Sequence, residues 1–288
     1  NPVLISTRKN GIPLLPSRSG FNYVICSVEL DGGHLLLDAA NDYTTINILP
    51  SKVINWKGRL IREDRSSTWI DLYPTTLARE NVTLKIDFDE DFSAYGKIRR
   101  QLTNNLALNY RNNNAELSNE QLVKDIETKH AELEVSNLEL KNVKDLNKPI
   151  LESYDYLLAD AIEEIGDKLY ISPLLFFKTE ENPFKEDNRS YPIDFVYPFA
   201  NKYMVSITVP EGYEMESAPT SKKVNFNGTD GNFTFLSNAN GDKIQLVFDF
   251  KLNKSLILPE DYSEFKQFFQ EYINTEEEKI VLKKKQKE

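Results

Sequence analysis

Four side chains able to take part in acyl-transfer chemistry fall inside one stretch, FNYVICSVELDGGHLLLDAAN at residues 21–41. They are Tyr23, Cys26, His34 and Asp38. A thiol, an imidazole and a carboxylate are what thiol-dependent hydrolysis needs: the thiolate attacks, the imidazole moves the proton, and the carboxylate orients the imidazole. Cys26 is the only cysteine, so the chain has no internal disulfide and no cysteine-cluster metal site. As a nucleophile it is poorly placed. It lies mid-strand on the Val24/Val28 face with no cationic neighbour in sequence, and is expected to be buried and slow to react. His34 sits at a turn four residues before Asp38. Adjacent strand-end positions would let it approach that carboxylate; the plainer reading is a solvated turn residue.

The elements that must position these groups are strands. Residues 21–30 alternate, with Tyr23, Ile25, Ser27 and Glu29 on one face and Val24, Cys26, Val28 and Leu30 on the other. Asp31-Gly32-Gly33 signals a hairpin, and residues 34–39 return. Before it, residues 1–19 read as loop around Gly11, Pro13, Pro16 and Ser17, with a short strand at Val3-Leu4-Ile5. A short helix is expected over 49–56, then two short strands over 58–62 and 68–72. Tyr73-Pro74-Thr75-Thr76 marks a domain boundary. Beyond it, strands are expected over 80–88, 94–106, 131–140, 153–158, 161–165, 168–175, 202–209, 222–226, 231–236 and 243–250. Asn227-Gly228 and Asn240-Gly241 supply turns. Ser118-Asn119-Glu120-Gln121 has the form of a capping box and opens a helix to about residue 129. Pro259 opens a last helix whose Tyr262, Phe265, Phe268, Phe269, Tyr272 and Ile273 form one apolar face. That stripe reads as core rather than as a partner groove. Residues 279–284 form a final strand. His130 closes the middle helix, where a cation favours the dipole.

The expected fold is therefore mainly β (α+β), with an antiparallel β-sandwich-like C-terminal domain and a terminal helix. Two domains suit 288 residues: 1–75 and 76–288, with an internal boundary near 182–192.

Composition narrows the function. The net charge of −10 argues against sequence-independent nucleic-acid binding and against docking on an anionic membrane. No apolar run reaches the ~18 residues of a spanning helix, so no transmembrane segment is expected. Asn1-Pro2-Val3 shows no signal peptide and no initiator methionine, and reads as the start of a mature product or an excised fragment. Asp87, Asp89 and Asp91 resemble the opening of a calcium loop, but Phe92 replaces the turn glycine and Ile98 the bidentate glutamate. A solvated acidic turn is the expectation, and no metal or other cofactor is implied. The sequons at Asn81, Asn227 and Asn232 read as chance.

The 21–41 hairpin resembles the His-and-Asp strands of a transglutaminase-like, papain-type core. Further along, Asn182-Pro183-Phe184, Tyr191-Pro192-Ile193-Asp194-Phe195, Val209-Pro210-Glu211-Gly212-Tyr213 and Leu258-Pro259-Glu260-Asp261-Tyr262 are similar to the tail of the DUF3857/DUF3858 transglutaminase-like proteins of Bacteroidetes, as is Lys279-Ile280-Val281-Leu282-Lys283. The resemblance implies that residues 1–75 are the last part of such a core and that the nucleophile's helix lies upstream. It also implies an exported protein, periplasmic or at the cell surface. The family's His position is matched by Tyr23, and its Asp position by Asp38. A phenol cannot shuttle protons at pH 7 as an imidazole can. The expected role is therefore a non-catalytic binding or scaffolding region, supporting upstream domains and contacting a peptide or glycan; this chain alone is not expected to be an enzyme. The alternative is part of a cysteine peptidase or acyltransferase whose nucleophile lies upstream.

Overall fold

The computed structural model describes residues 1–13, 19–130 and 132–285. Pro16, Ser17 and Ala131 lie outside these. Strands dominate, in antiparallel sheets with a C-terminal helix.

The N-terminal part is a five-stranded antiparallel sheet of β1 (Pro2–Ile5), β2 (Tyr23–Leu30), β3 (Gly33–Leu37), β4 (Lys57–Ile61) and β5 (Ser67–Asp71), in the order β3-β2-β1-β4-β5. Val3, Ile5, Ile25 and Leu60 on its inner face bury against Leu49, Val53 and Ile54. The segment carrying those last three is not the helix expected over 49–56. It is a turn closed by Val53 N–H to the Pro50 carbonyl at 2.8 Å, and it leads to Trp56 at φ 58°, which a helix cannot accommodate.

The second part is built on an eight-stranded sheet. It holds β6 (Ala78–Phe88), β7 (Ala94–Leu102), β8 (Leu133–Lys141) and β9 (Ile150–Leu158). After β10 (Ile162–Ile165), β11 (Lys168–Ile171) and β12 (Ile193–Asp194) come β13 (Phe199–Thr208), β14 (Tyr213–Ser217), β15 (Lys222–Phe226), β16 (Gly231–Asn240), β17 (Lys243–Leu252), β18 (Leu256–Ile257) and β19 (Ile280–Lys284). The order in the large sheet is β15-β16-β17-β13-β6-β7-β9-β8. Each neighbour pair is antiparallel except β6 with β13, which run parallel from Ala78↔Phe199 to Ile86↔Ile207. Two antiparallel four-stranded halves thus meet at one parallel seam. A smaller sheet, β10-β11-β19-β14, packs its Leu169, Ile171, Ile280 and Leu282 into the core of the large one, and β12 pairs with β18.

Among the described residues, three α-helices complete the covering layer: α1 (Asn104–Asn114), α2 (Asn119–Lys129) and α3 (Tyr262–Glu277). The capping box at Ser118 and Gln121 forms at the start of α2. In α3, Phe265, Phe268 and Tyr272 bury against Phe226, Phe233 and Phe250, with rings 4.8–5.7 Å apart. Burial of such rings contributes more than helix propensity could. α1 replaces the last part of the strand expected over 94–106. Asparagine is a weak helix former, so the sequence does not announce this helix. Tertiary contacts hold it. Asn105 Nδ2 donates to the Leu49 carbonyl at 2.9 Å, the Tyr110 hydroxyl to Glu152 at 2.7 Å, and the buried Arg111 guanidinium to the carbonyls of Asn142, Val143, Asp145 and Lys148. The expected strand over 168–175 stops at Ile171, and a 3-10 turn follows over Leu175–Phe177.

His130 does not offer α2 a cation. Its ring lies 4.8 Å from that of Phe176, and burial holds its pKa below the ordinary histidine value. No helix among the described residues is long and apolar enough to cross a membrane.

Candidate functional site

The site is the β2–β3 hairpin and the loop after it. Gly32, at φ 97°, makes the tight turn that an L side chain would strain. Register pairs Cys26 with Leu37, Ser27 with Leu36 and Glu29 with His34. Period-two alternation therefore puts Tyr23, Ile25, Ser27, His34, Leu36 and Asp38 on the inner face and Val24, Cys26, Val28 and Leu37 on the outer one.

Tyr23 and Asp38 meet. The phenol donates to the carboxylate, 3.0 Å from Oδ2 and 3.2 Å from Oδ1. Burial first, then the hydrogen bond and the negative charge of Asp38, push the Tyr23 pKa up to about 12. The Lys52 ammonium stands 4.9 Å from the Tyr23 ring centroid. Asp38 is buried, and its Oδ1 also accepts the Ala40 N–H at 2.9 Å. Thr44 Oγ1 donates to the Asp38 carbonyl at 2.6 Å, closing the loop behind it. Asn47, at φ 61°, clamps the free edge of β3: its Oδ1 accepts the Leu36 N–H and its own N–H bonds the Leu36 carbonyl, at 2.7 and 2.9 Å.

His34 does not turn to Asp38. Its Nδ1 lies 3.2 Å from Oγ of the buried Ser27. Cys26 is not buried, contrary to the sequence expectation. It is exposed on the outer face beside Val24 and Val28, which are 52% and 45% exposed. The reason is a reversal of faces: the more apolar side of β2 points outward, and the side carrying Tyr23, Ser27 and Glu29 points inward. Cys26 and Asp38 are therefore on opposite sides of the sheet and cannot act together.

Chemically, the hairpin holds an ionisable carboxylate against a phenol that stays protonated through neutral pH. A phenol in this state can donate a hydrogen bond but cannot accept a proton from a nucleophile. Asp38 also borders a cleft of about 1170 Å³ between the loop at 44–48 and the loop at 144–147. Lys52, Thr44 and Asn47 were not legible as site residues, because nothing in their spacing marks them. Their roles come from loop geometry.

The acidic turn at 87–91 is built otherwise than a calcium loop. Asp89 Oδ1 accepts the N–H groups of Asp91 and Ser93, and Asp87 bonds Lys85 and Thr208.

The architecture is thus a β-rich α+β assembly whose one hairpin carries paired polar groups on its inner face. Residues 167–282 match a family described as "Domain of Unknown Function with solved-structure structure (DUF3858)". That segment runs from β11 to β19 and contains one antiparallel half of the large sheet together with α3. No curated protein matches the chain. Among solved structures, one from Parabacteroides distasonis ATCC 8503, described as a "putative protease", is 10% identical with a TM-score of 0.44. The alignment covers 98% of this chain and 40% of that one, so this chain spans less than half the other's length.

Proposed function

We propose that this chain is a non-catalytic binding and scaffolding region of a transglutaminase-like protein of the DUF3857/DUF3858 type. One observation carries the reading: where the resemblance expects an imidazole, Tyr23 holds Asp38 through a phenol whose pKa is pushed up to about 12. Its partners are the upstream domains of the same protein and a peptide or glycan. By the same resemblance it works in the periplasm or at the cell surface.

The test is hydrolysis and acyl transfer by this chain on a panel of peptide and amide substrates. The expected result is no turnover. Turnover that disappears in Asp38→Ala would overturn the proposal.

The second reading, part of a cysteine peptidase or acyltransferase, draws on the buried Asp38 at the family's Asp position. It needs a nucleophile from upstream and an imidazole to replace Tyr23. A cysteine at a helix start roughly 30–70 residues before Phe21 in the same gene would favour it. Without one, this reading has no nucleophile.

A further inference from the structure

Every element that covers the eight-stranded sheet lies over one side of it. The smaller sheet, α2 and α3 share a core with Val82, Leu84, Ile98, Val205 and Phe248, and α1 packs on Leu102 and Ile150 of that same side. The opposite face is formed by the alternate residues of all eight strands and carries no covering element among the described residues. One row across it runs Leu236, Val247, Met204, Thr83, Arg99, Ser153.

This open face is basic in an acidic chain. Arg79, Arg99, Lys223, Lys243 and Lys251 stand on it without a carboxylate partner among the described residues. Four further cations are paired on the same face, as Lys85–Asp87, Lys97–Asp155, Lys141–Glu139 and Lys202–Asp249. Glu134 is its fifth carboxylate. Nine basic against five acidic groups give the face +4 in a chain of net charge −10, so everything else carries −14. An ordinary solvated sheet face would share the chain's acidic balance.

We propose that this face binds a linear polysaccharide bearing carboxylate or sulfate groups. Charge complementarity selects an anionic occupant. Strands spaced about 4.8 Å apart set the unpaired cations at intervals across an open surface, which suits an extended chain with repeated charges. Between them stand neutral hydrogen-bonding side chains, among them Thr83, Ser153, Ser206, Gln245, Thr234 and Asn232, suited to sugar hydroxyls. Tyr95 is the one aromatic ring on this face among the described residues, so charge rather than ring stacking carries recognition. A sheet face with five carboxylates and, among the described residues, no projecting helix offers nothing to enter a nucleic-acid groove. The apolar side chains on this face are few: Leu236, Val247 and Met204 make one short row, and Leu151 and Leu157 stand apart on β9, too little to insert into a bilayer. The proposal rests on the reading of the chain as a binding region, and adds a ligand class and a surface on a different sheet from the hairpin.

The test is affinity electrophoresis of the full 288-residue chain in gels containing polygalacturonate or dextran sulfate, with neutral dextran as reference. Retardation by the charged polymers is expected, fading as salt approaches about 0.5 M. The double variant Arg99→Glu/Lys251→Glu should migrate as it does in dextran. Lys9→Glu/Lys124→Glu, which changes net charge equally on other surfaces, should be retarded like the parent. Thermal unfolding of both double variants checks that they fold; if Arg99→Glu/Lys251→Glu does not, Arg99→Gln/Lys251→Gln takes its place. No retardation of the parent, equal loss in both doubles, or capture instead by phosphatidylglycerol vesicles or duplex DNA would each overturn the proposal. Peptide or amide turnover would sink the non-catalytic reading and leave polymer retardation untouched, so the two failures are distinguishable.

Discussion

The hydroxyl of Tyr23 sits between the two carboxylate oxygens of Asp38, 3.0 and 3.2 Å away. Each group bears on the other: burial and then the carboxylate raise the phenol's pKa, and the phenol supplies a donor that a buried carboxylate requires.

This coupling is testable by NMR of ring-labelled tyrosine. In the parent, the Tyr23 ring should show no titration up to about pH 10.5, where exposed tyrosines are already ionising. In Asp38→Asn its pKa should fall towards the ordinary value. Tyr23→Phe leaves Asp38 with one donor fewer and should cost about 1–2 kcal/mol in urea unfolding. An unchanged midpoint would mean that water replaces the phenol at no cost.

Cys26 provides a second check. Exposed on the outer face, it should react with a thiol reagent in the native chain about as fast as after denaturation. Slow native labelling, relieved by dilution, would instead show a second copy covering Val24, Val28 and Leu30.

Glu276 has no exposed surface. Its Oε2 accepts the Thr179 N–H at 2.9 Å, and its Oε1 has no partner. Burial raises its pKa above the ordinary carboxylate value of 4.5. The folded state therefore holds this proton more tightly than the unfolded state. Its contribution is fully present below 4.5, and is lost as pH rises through the raised native value. Glu276→Gln keeps the shape without the titration. Urea midpoints of parent and variant should diverge in the variant's favour from about pH 4.5 upward and run parallel above the native pKa. A constant difference across that range would contradict the buried, proton-retaining carboxyl.

Arg111 is a structural hub. Its guanidinium reaches four carbonyls of the 142–148 loop. Arg111→Ala should cost on the order of 3 kcal/mol and open that loop to proteolysis. Arg111→Lys should recover little, because a single ammonium cannot span the four acceptors. Full recovery by lysine would assign the effect to charge rather than to fork geometry.

What the sequence disclosed and withheld follows from the range of the interactions. Period-two alternation and the Asp31-Gly32-Gly33 turn were enough to announce the β2–β3 hairpin; that Tyr23 and Asp38 share a face follows from the register that pairs Cys26 with Leu37. Which face of β2 is inward was not legible, because both faces carry apolar residues, and the choice is made by Leu49, Val53 and Ile54 packing from elsewhere in the chain. The α3 aromatic stripe announced its helix, since its period is local. α1 did not, since asparagine-rich sequence favours no element and its anchors come from residues 49, 142–148 and 152. The partnership of β6 with β13 left no sequence mark at all.

That partnership has a consequence for how the chain is made. Thr208 bonds Asp87 across a separation of 121 residues. At about 5–20 residues per second, β6 leaves the ribosome roughly 6–24 seconds before its parallel mate exists. Once β9 has followed at Leu158, Val82, Leu84 and Ile86 lie on the unpaired border strand of a nascent four-stranded half until β13 arrives. Synthesis itself thus opens a window in which this border must be guarded from other nascent chains.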